Sequence, residues 1–250
     1  MSFKQSSFKL SVSLCALLMV SGCQISTDGP VLDSLQGQKS RAEQRISVAA
    51  EEAIKAGQAH EALQFYETLY ARNHSDPEIA VNYAYALRKT DSAQRAIMVL
   101  APFITPDETT DKKKKPAPPR ADVLLEYAAA SLALGRYERA VEVAQEVIGR
   151  TDTKSEVYHA KAYHLAGIGY DALSQYKDAE TSYRIAMELW PGQPVPVMNN
   201  LALSLAQRGL FDDSLTMLRQ ARVMDPSAEE IARNIEIVTD LRDNLIPRAH

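Results

Sequence analysis

Residues 163–226 read YHLAGIGYDALSQYKDAETSYRIAMELWPGQPVPVMNNLALSLAQRGLFDDSLTMLRQARVMDP, and the segment nearly repeats its own pattern. Tyr163, Gly167, Tyr170, Tyr176, Tyr183, Ala186 and Pro191 are matched by Met198, Ala202, Leu205, Phe211, Leu218, Ala221 and Pro226, each 35 residues further on. Ser214 stands where the pattern has Ala179. The spacing has a physical reason. Small residues at the eighth and twentieth positions let two antiparallel helices approach closely, where larger side chains would hold the axes apart. The aromatic and large aliphatic residues fill the space between that pair and the next. Gly209 supplies a tight turn before the second helix, and the closing Pro ends it.

The same frame extends towards the N-terminus. Leu124, Ala128, Gly135, Tyr137, Ala140 and Ala144 form an earlier unit without the closing Pro. Two weaker units precede it, one holding Ile46, Ala50, Ala53, Gly57, Ala62, Tyr66 and Leu69, the other Ala80, Tyr83, Ala84, Leu87, Ala96, Leu100 and Phe103. The pattern resembles the tetratricopeptide repeat (TPR), whose period is about 34 residues. The resemblance implies an all-α fold, a TPR-type α-solenoid of helix-turn-helix repeats with a C-terminal capping helix. One unit cannot bury its apolar face alone, so units stack.

Units 1–2 are expected over 41–104 and units 3–5 over 121–228, with a capping helix over 229–246. Ile231, Ile235, Val238 and Leu241 give that last helix its apolar stripe, Ser227 can cap it, and Pro247 marks its end. Between the two groups, residues 105–120 read TPDETTDKKKKPAPPR. Four consecutive lysines followed by prolines predict a solvated, disordered insertion. A contact of Lys112–Lys115 with an anionic partner or lipid head groups is the functional alternative. A smaller insertion near Gly149–Ser155 accounts for the longer step into the fourth unit.

The N-terminus reads as an export signal rather than as structure. Lys4 and Lys9 precede an apolar run from Leu10 to Val20 that is too short to span a bilayer, which takes about 20 residues. Val20-Ser21-Gly22-Cys23 then resembles a lipobox. The resemblance implies cleavage after residue 22 and acylation of Cys23, with 23–40 as a flexible tether holding Gly29-Pro30. Loss of two lysines and no acid changes the formal charge from -4 to 26 − 32 = -6. Cys15 goes with the signal, so the one remaining cysteine is the lipidated one, and several acyl chains anchor stably. Gln24 follows it. In lipoproteins of two-membrane bacteria an Asp there favours inner-membrane retention, so its absence implies the outer membrane, facing the periplasm.

Function by chemistry finds little to work with. No basic stripe points to nucleic acid. The five histidines show no metal-ligand spacing, and no phosphate loop, nucleophile elbow or cofactor signature is present. No catalytic or metal site and no cofactor are expected. Binding is the positive reading. The second, fifth, ninth, twelfth and thirteenth positions of a TPR line its concave groove. The second unit offers Asn82, Tyr85, Arg88 and Lys89, the fourth Lys161, His164 and Asp171, and the fifth Asn199 and Gln207. Such a mixed groove suits an extended peptide or a partner helix. Asn82 with Arg88 and Lys89 could grip a carboxylate, although an exposed basic pair is the commoner explanation. Asn200 satisfies neighbouring backbone groups or meets a ligand.

The anchor together with residues 160–226, notably the VMNNLALSLAQRGLFDDSLTMLRQA segment from Val197 to Ala221, resembles the TadD family of TPR lipoproteins in the tight-adherence (Flp) pilus assembly system. The resemblance implies an assembly role, with the outer-membrane secretin and other pilus components as protein partners and the membrane met through the lipid anchor. The Lys/Pro insertion departs from a regular array. A pilotin-like lipoprotein of type IV pili, a partner in outer-membrane β-barrel assembly, and an adaptor of a periplasmic peptidoglycan enzyme remain open, because repeats record a fold and not a job.

Overall fold

The structure is a computed structural model that describes residues 41–105, 117–151 and 155–245; Cys23 with the signal and tether, and the Lys112–Lys115 run, lie outside the described residues. Among the described residues eleven α-helices follow one another without a strand: α1 (Arg41–Lys55), α2 (Ala59–Arg72), α3 (Pro77–Lys89), α4 (Ala93–Ile104), α5 (Ala121–Ala133), α6 (Tyr137–Ile148), α7 (Glu156–Ala172), α8 (Tyr176–Leu189), α9 (Val195–Gln207), α10 (Phe211–Met224) and α11 (Glu229–Leu245). Each helix packs on the next in sequence. From α3 onward the odd-numbered helices also touch one another, so they form the inner wall of the stack.

The small residues do what their spacing implies. Ala50, Ala84, Ala128 and Ala202 on the inner helices, and Ala62, Ala96, Ala140 and Ala179 on the outer ones, are fully buried. At Gly167 a Cβ would come within 2.6 Å of the Tyr183 ring, so only a residue without one admits that ring. Around these close approaches sit Leu87, Leu100, Leu124, Leu201 and Leu218, none of them exposed to solvent, each contributing about 2 kcal/mol of burial. Val123 and Ala130 of α5 belong to the same apolar cluster as α1–α4. The stack is therefore continuous across the long insertion.

The turns within the pairs are all built alike. Gly57, Asp91, Gly135, Ser174 and Gly209 occupy equivalent positions, and all have φ between 56° and 78°. After each, the next N–H reaches back five residues, as from Arg136 to the Ser131 carbonyl at 2.9 Å, which closes a Schellman-type C-terminus. Gly meets that left-handed backbone without strain, whereas Asp91 and Ser174 meet it at a cost. At the start of α3, Asp76 accepts from the N–H groups of Glu78 at 2.9 Å and Ile79 at 3.3 Å, with Pro77 in the first turn.

Two features of the last helix follow from its sequence. Where α9 buries Met198, Leu201 and Leu205, α11 carries exposed Arg233, Glu236 and Asp240; of its expected apolar stripe Ile231 and Val238 are buried and Ile235 half-buried, while Leu241, with Ile237, is exposed. Ser227, expected to cap α11, instead gives its hydroxyl to Asp225 at 2.6 Å. Asp225 also accepts from the Ser227 N–H, because an ionised carboxylate is the stronger acceptor.

Candidate functional site

The inner helices carry the candidate residues, and the turn-and-pair geometry presents the same face of each. Asn82, Tyr85 and Arg88 of α3, Asp122 and Glu126 of α5, and Lys161 and His164 of α7 line a central recess of about 330 Å³. Asn82 and Tyr85 also wall a neighbouring recess of about 360 Å³ with Glu51, Ile54 and Lys55 of α1. A third, about 470 Å³, is lined by Asp171, Tyr183, Asn200, Ser204 and Gln207. Recesses thus follow one another along the inner wall from α1 to α9.

The chemistry of the central recess is set by one ion pair. Arg88 Nε donates to Glu126 Oε1 at 2.7 Å and its terminal nitrogen to Oε2 at 3.2 Å. The side chains keep 20% and 11% of their exposure, so the pair is largely desolvated. Burial raises the Glu126 carboxyl above its ordinary range, while Arg88, Lys89 and Lys161 pull it back. The carboxylate that Arg88 grips is thus supplied by the chain itself. Lys89 is exposed and holds its ammonium 5.7 Å from the Tyr85 ring centre, and the Arg88 guanidinium lies 5.3 Å from the same centre. Asp122 is paired with Arg120 at 2.6 Å.

His164 is held by three groups. Its Nε2 lies 2.9 Å from Asn200 Nδ2, the Trp190 ring meets it edge-on at 5.5 Å, and Tyr183 lies beside it. Burial pushes its pKa down to about 4, so the ring is neutral near pH 7 and Nε2 accepts from the amide. Asp171 accepts from Tyr183 at 2.9 Å and from Ser204 at 2.6 Å. Burial raises its carboxyl; the two hydroxyls and Arg208 act against that.

Of the residues singled out from the sequence, Asn82, Tyr85, Arg88, Lys161 and His164 meet in the central recess, and Asp171 and Gln207 in the third. Lys89 sits beside Tyr85 at the end of α3. Asn199 is taken up by packing: its Oδ1 accepts from Asn234 of α11 at 2.7 Å. Asn200 meets His164 rather than the backbone. Sequence reasoning passed over α1 and α5. The same repeat count applied to those units points to Glu51, Ile54 and Lys55, and to Asp122 and Leu125. Glu126 lies one position beyond that count, and no sequence signal marks it as the partner of Arg88. Among the described residues no group of three or more His, Cys, Asp or Glu is placed to hold a metal ion, and no helix is long and apolar enough to cross a membrane.

No family model and no curated protein sequence matches the chain. Solved structures do. The chain is similar to a thermophilic TPR protein of Thermus thermophilus, with 18% identity, 79% of this chain and 98% of that one covered, and a TM-score of 0.66. It is also similar to MamA of Desulfovibrio magneticus, at 17% identity over 76% and 99% of the two chains with a TM-score of 0.52. A tetratricopeptide repeat protein of Parabacteroides merdae matches at 15% identity over 79% and 72%, with a TM-score of 0.50. The fold is a TPR-type α-solenoid.

Proposed function

We propose that the chain is a scaffold lipoprotein. Acylated at Cys23 and held at the outer membrane facing the periplasm, it binds protein partners along its inner wall during assembly of a tight-adherence (Flp) pilus machine, with the secretin as first candidate partner. The observation that carries the binding part is the run of recesses on successive inner helices, walled by aromatic, amide and charged side chains. Tyr85 offers an apolar face with a polar tip, a combination that interfaces favour. The lipobox at Val20–Cys23 supports the anchor, and the Val197–Ala221 segment supports the pilus assignment.

A pull-down from detergent-solubilised membranes with the intact lipoprotein tests the reading. A secretin or pilus component should be recovered, and recovery should fall with Tyr85→Ala. Recovery of nothing specific, or recovery indifferent to changes in the groove, would sink the scaffold reading. Capture of β-barrel assembly proteins or of a peptidoglycan enzyme would move the chain to another machine. Palmitate labelling tests the anchor separately, since the label should vanish in Cys23→Ser.

A further inference from the structure

The central recess is unevenly charged. Three cations, Arg88 and Lys89 from the end of α3 and Lys161 near the start of α7, act on a single carboxylate, Glu126 of α5. The other acid in its wall, Asp122, is committed to Arg120. Among the described residues no carboxylate lies within ion-pair reach of Lys89 or Lys161, and both are exposed. With the Arg120–Asp122 pair neutral, the wall carries Arg88 and Lys161 against Glu126, and Lys89 adds a further positive charge beside Tyr85, in a chain whose net charge is -4. Glu126 already engages both guanidinium nitrogens that face it, so the two lysines are the surplus. Tyr85 and Tyr158 add aromatic wall beside them.

Building on the scaffold reading above, we propose that the central recess takes an acidic, extended segment of the partner polypeptide, met by Lys161 in the wall and by Lys89 beside Tyr85, and that Glu126 competes with it for Arg88. In the free protein Glu126 spares Arg88 an unpaired, partly buried charge, which is costly. The competition keeps the groove selective: a weakly charged segment meets Arg88 already neutralised, and only a strongly acidic one gains the two lysines. Attraction of this kind reaches about 8 Å at physiological salt and acts first on the association rate.

The test is fluorescence anisotropy on the full lipoprotein in detergent, with a short labelled Glu/Asp-rich peptide carrying tyrosines and the same peptide with Lys or Gln for each acid. The acidic peptide should bind best. Lys89→Ala with Lys161→Ala should weaken it about tenfold, and Lys89→Glu with Lys161→Glu should reverse the preference towards the Lys peptide. Glu126→Gln should tighten acidic binding about threefold. Replacing Lys112–Lys115 by Ala should leave it unchanged. Equal binding of the three peptides, or acidic binding lost only with Lys112–Lys115, overturns the proposal. If the membrane pull-down succeeds while the acidic peptide fails, only the acidic assignment falls. If both fail, the scaffold reading goes with it.

Discussion

Gly167 and Ser214 show how little latitude single positions have here. An added Cβ at Gly167 would sit 2.6 Å from Tyr183, a ring that is 1% exposed and tied through its hydroxyl to Asp171. Gly167→Ala should therefore lose about 1–2 kcal/mol of stability: overpacking costs about 1–3 kcal/mol, and the better helix propensity of Ala returns at most about 1. Gly169→Ala would bring its Cβ to 2.5 Å from a Val141 methyl, and a β-branched side chain within a helix has one strongly preferred rotamer, so it should cost a similar amount. Urea denaturation of both variants checks the costs, and a Gly167→Ala protein as stable as the parent would refute the close approach. Ser214 presents the opposite case. Its hydroxyl is fully buried and has no hydrogen-bond partner among the described residues. Ser214→Ala should raise stability by about 1 kcal/mol, because an unsatisfied buried polar group is removed and the position regains the small apolar residue its repeat requires.

At the scale of elements, polar links tie one inner helix to the next. Asn200 of α9 holds His164 of α7, Ser204 of α9 holds Asp171 of α7, and Asn234 of α11 holds Asn199 of α9. The first link depends on pH. The unfolded chain protonates a histidine near pH 6.5, but His164 in the folded chain resists protonation until about pH 4. The unfolded state binds more protons in that window, so this group's share of stability is lost as pH falls from about 6.5 to 4, by up to about 3 kcal/mol. Glu126 and Asp171 act in the opposite sense, since burial raises both carboxyls and the folded form takes their protons first. Comparison with His164→Gln isolates the histidine. The variant should lose less stability than the parent between pH 6.5 and 4, and parallel curves would count against a buried neutral His164.

For the stack as a whole, the question is whether the insertion divides it. Val123 and Ala130 of α5 are fully buried in the cluster built mainly from α1–α4, and the Arg88–Glu126 pair joins α3 to α5. A protease site engineered between residues 105 and 117 should therefore yield two fragments that co-elute in native buffer and separate only in denaturant. Fragments that drift apart without denaturant would mean that the repeats on either side fold as neighbours and not as one array. Cooperativity along a solenoid passes through such interfaces between units, and this one is apolar and carries a desolvated ion pair.

The fold class was legible in the sequence, because it rests on local spacing: small residues recurring at the close approaches of paired helices, with a closing Pro after the fourth and fifth units. The inner face of each helix followed from the same count, which also extends to Asp122 and Glu51. Left-handed turns at Asp91 and Ser174 were not legible, since neither residue carries glycine's signal for them. Nor were the partners of the groove residues. Arg88 meets Glu126 across 38 positions and Ser204 meets Asp171 across 33, distances that depend on how successive pairs are rotated and how far each is shifted along its neighbour. Spacing along one helix sets which way a side chain points; only the packed stack decides what it meets.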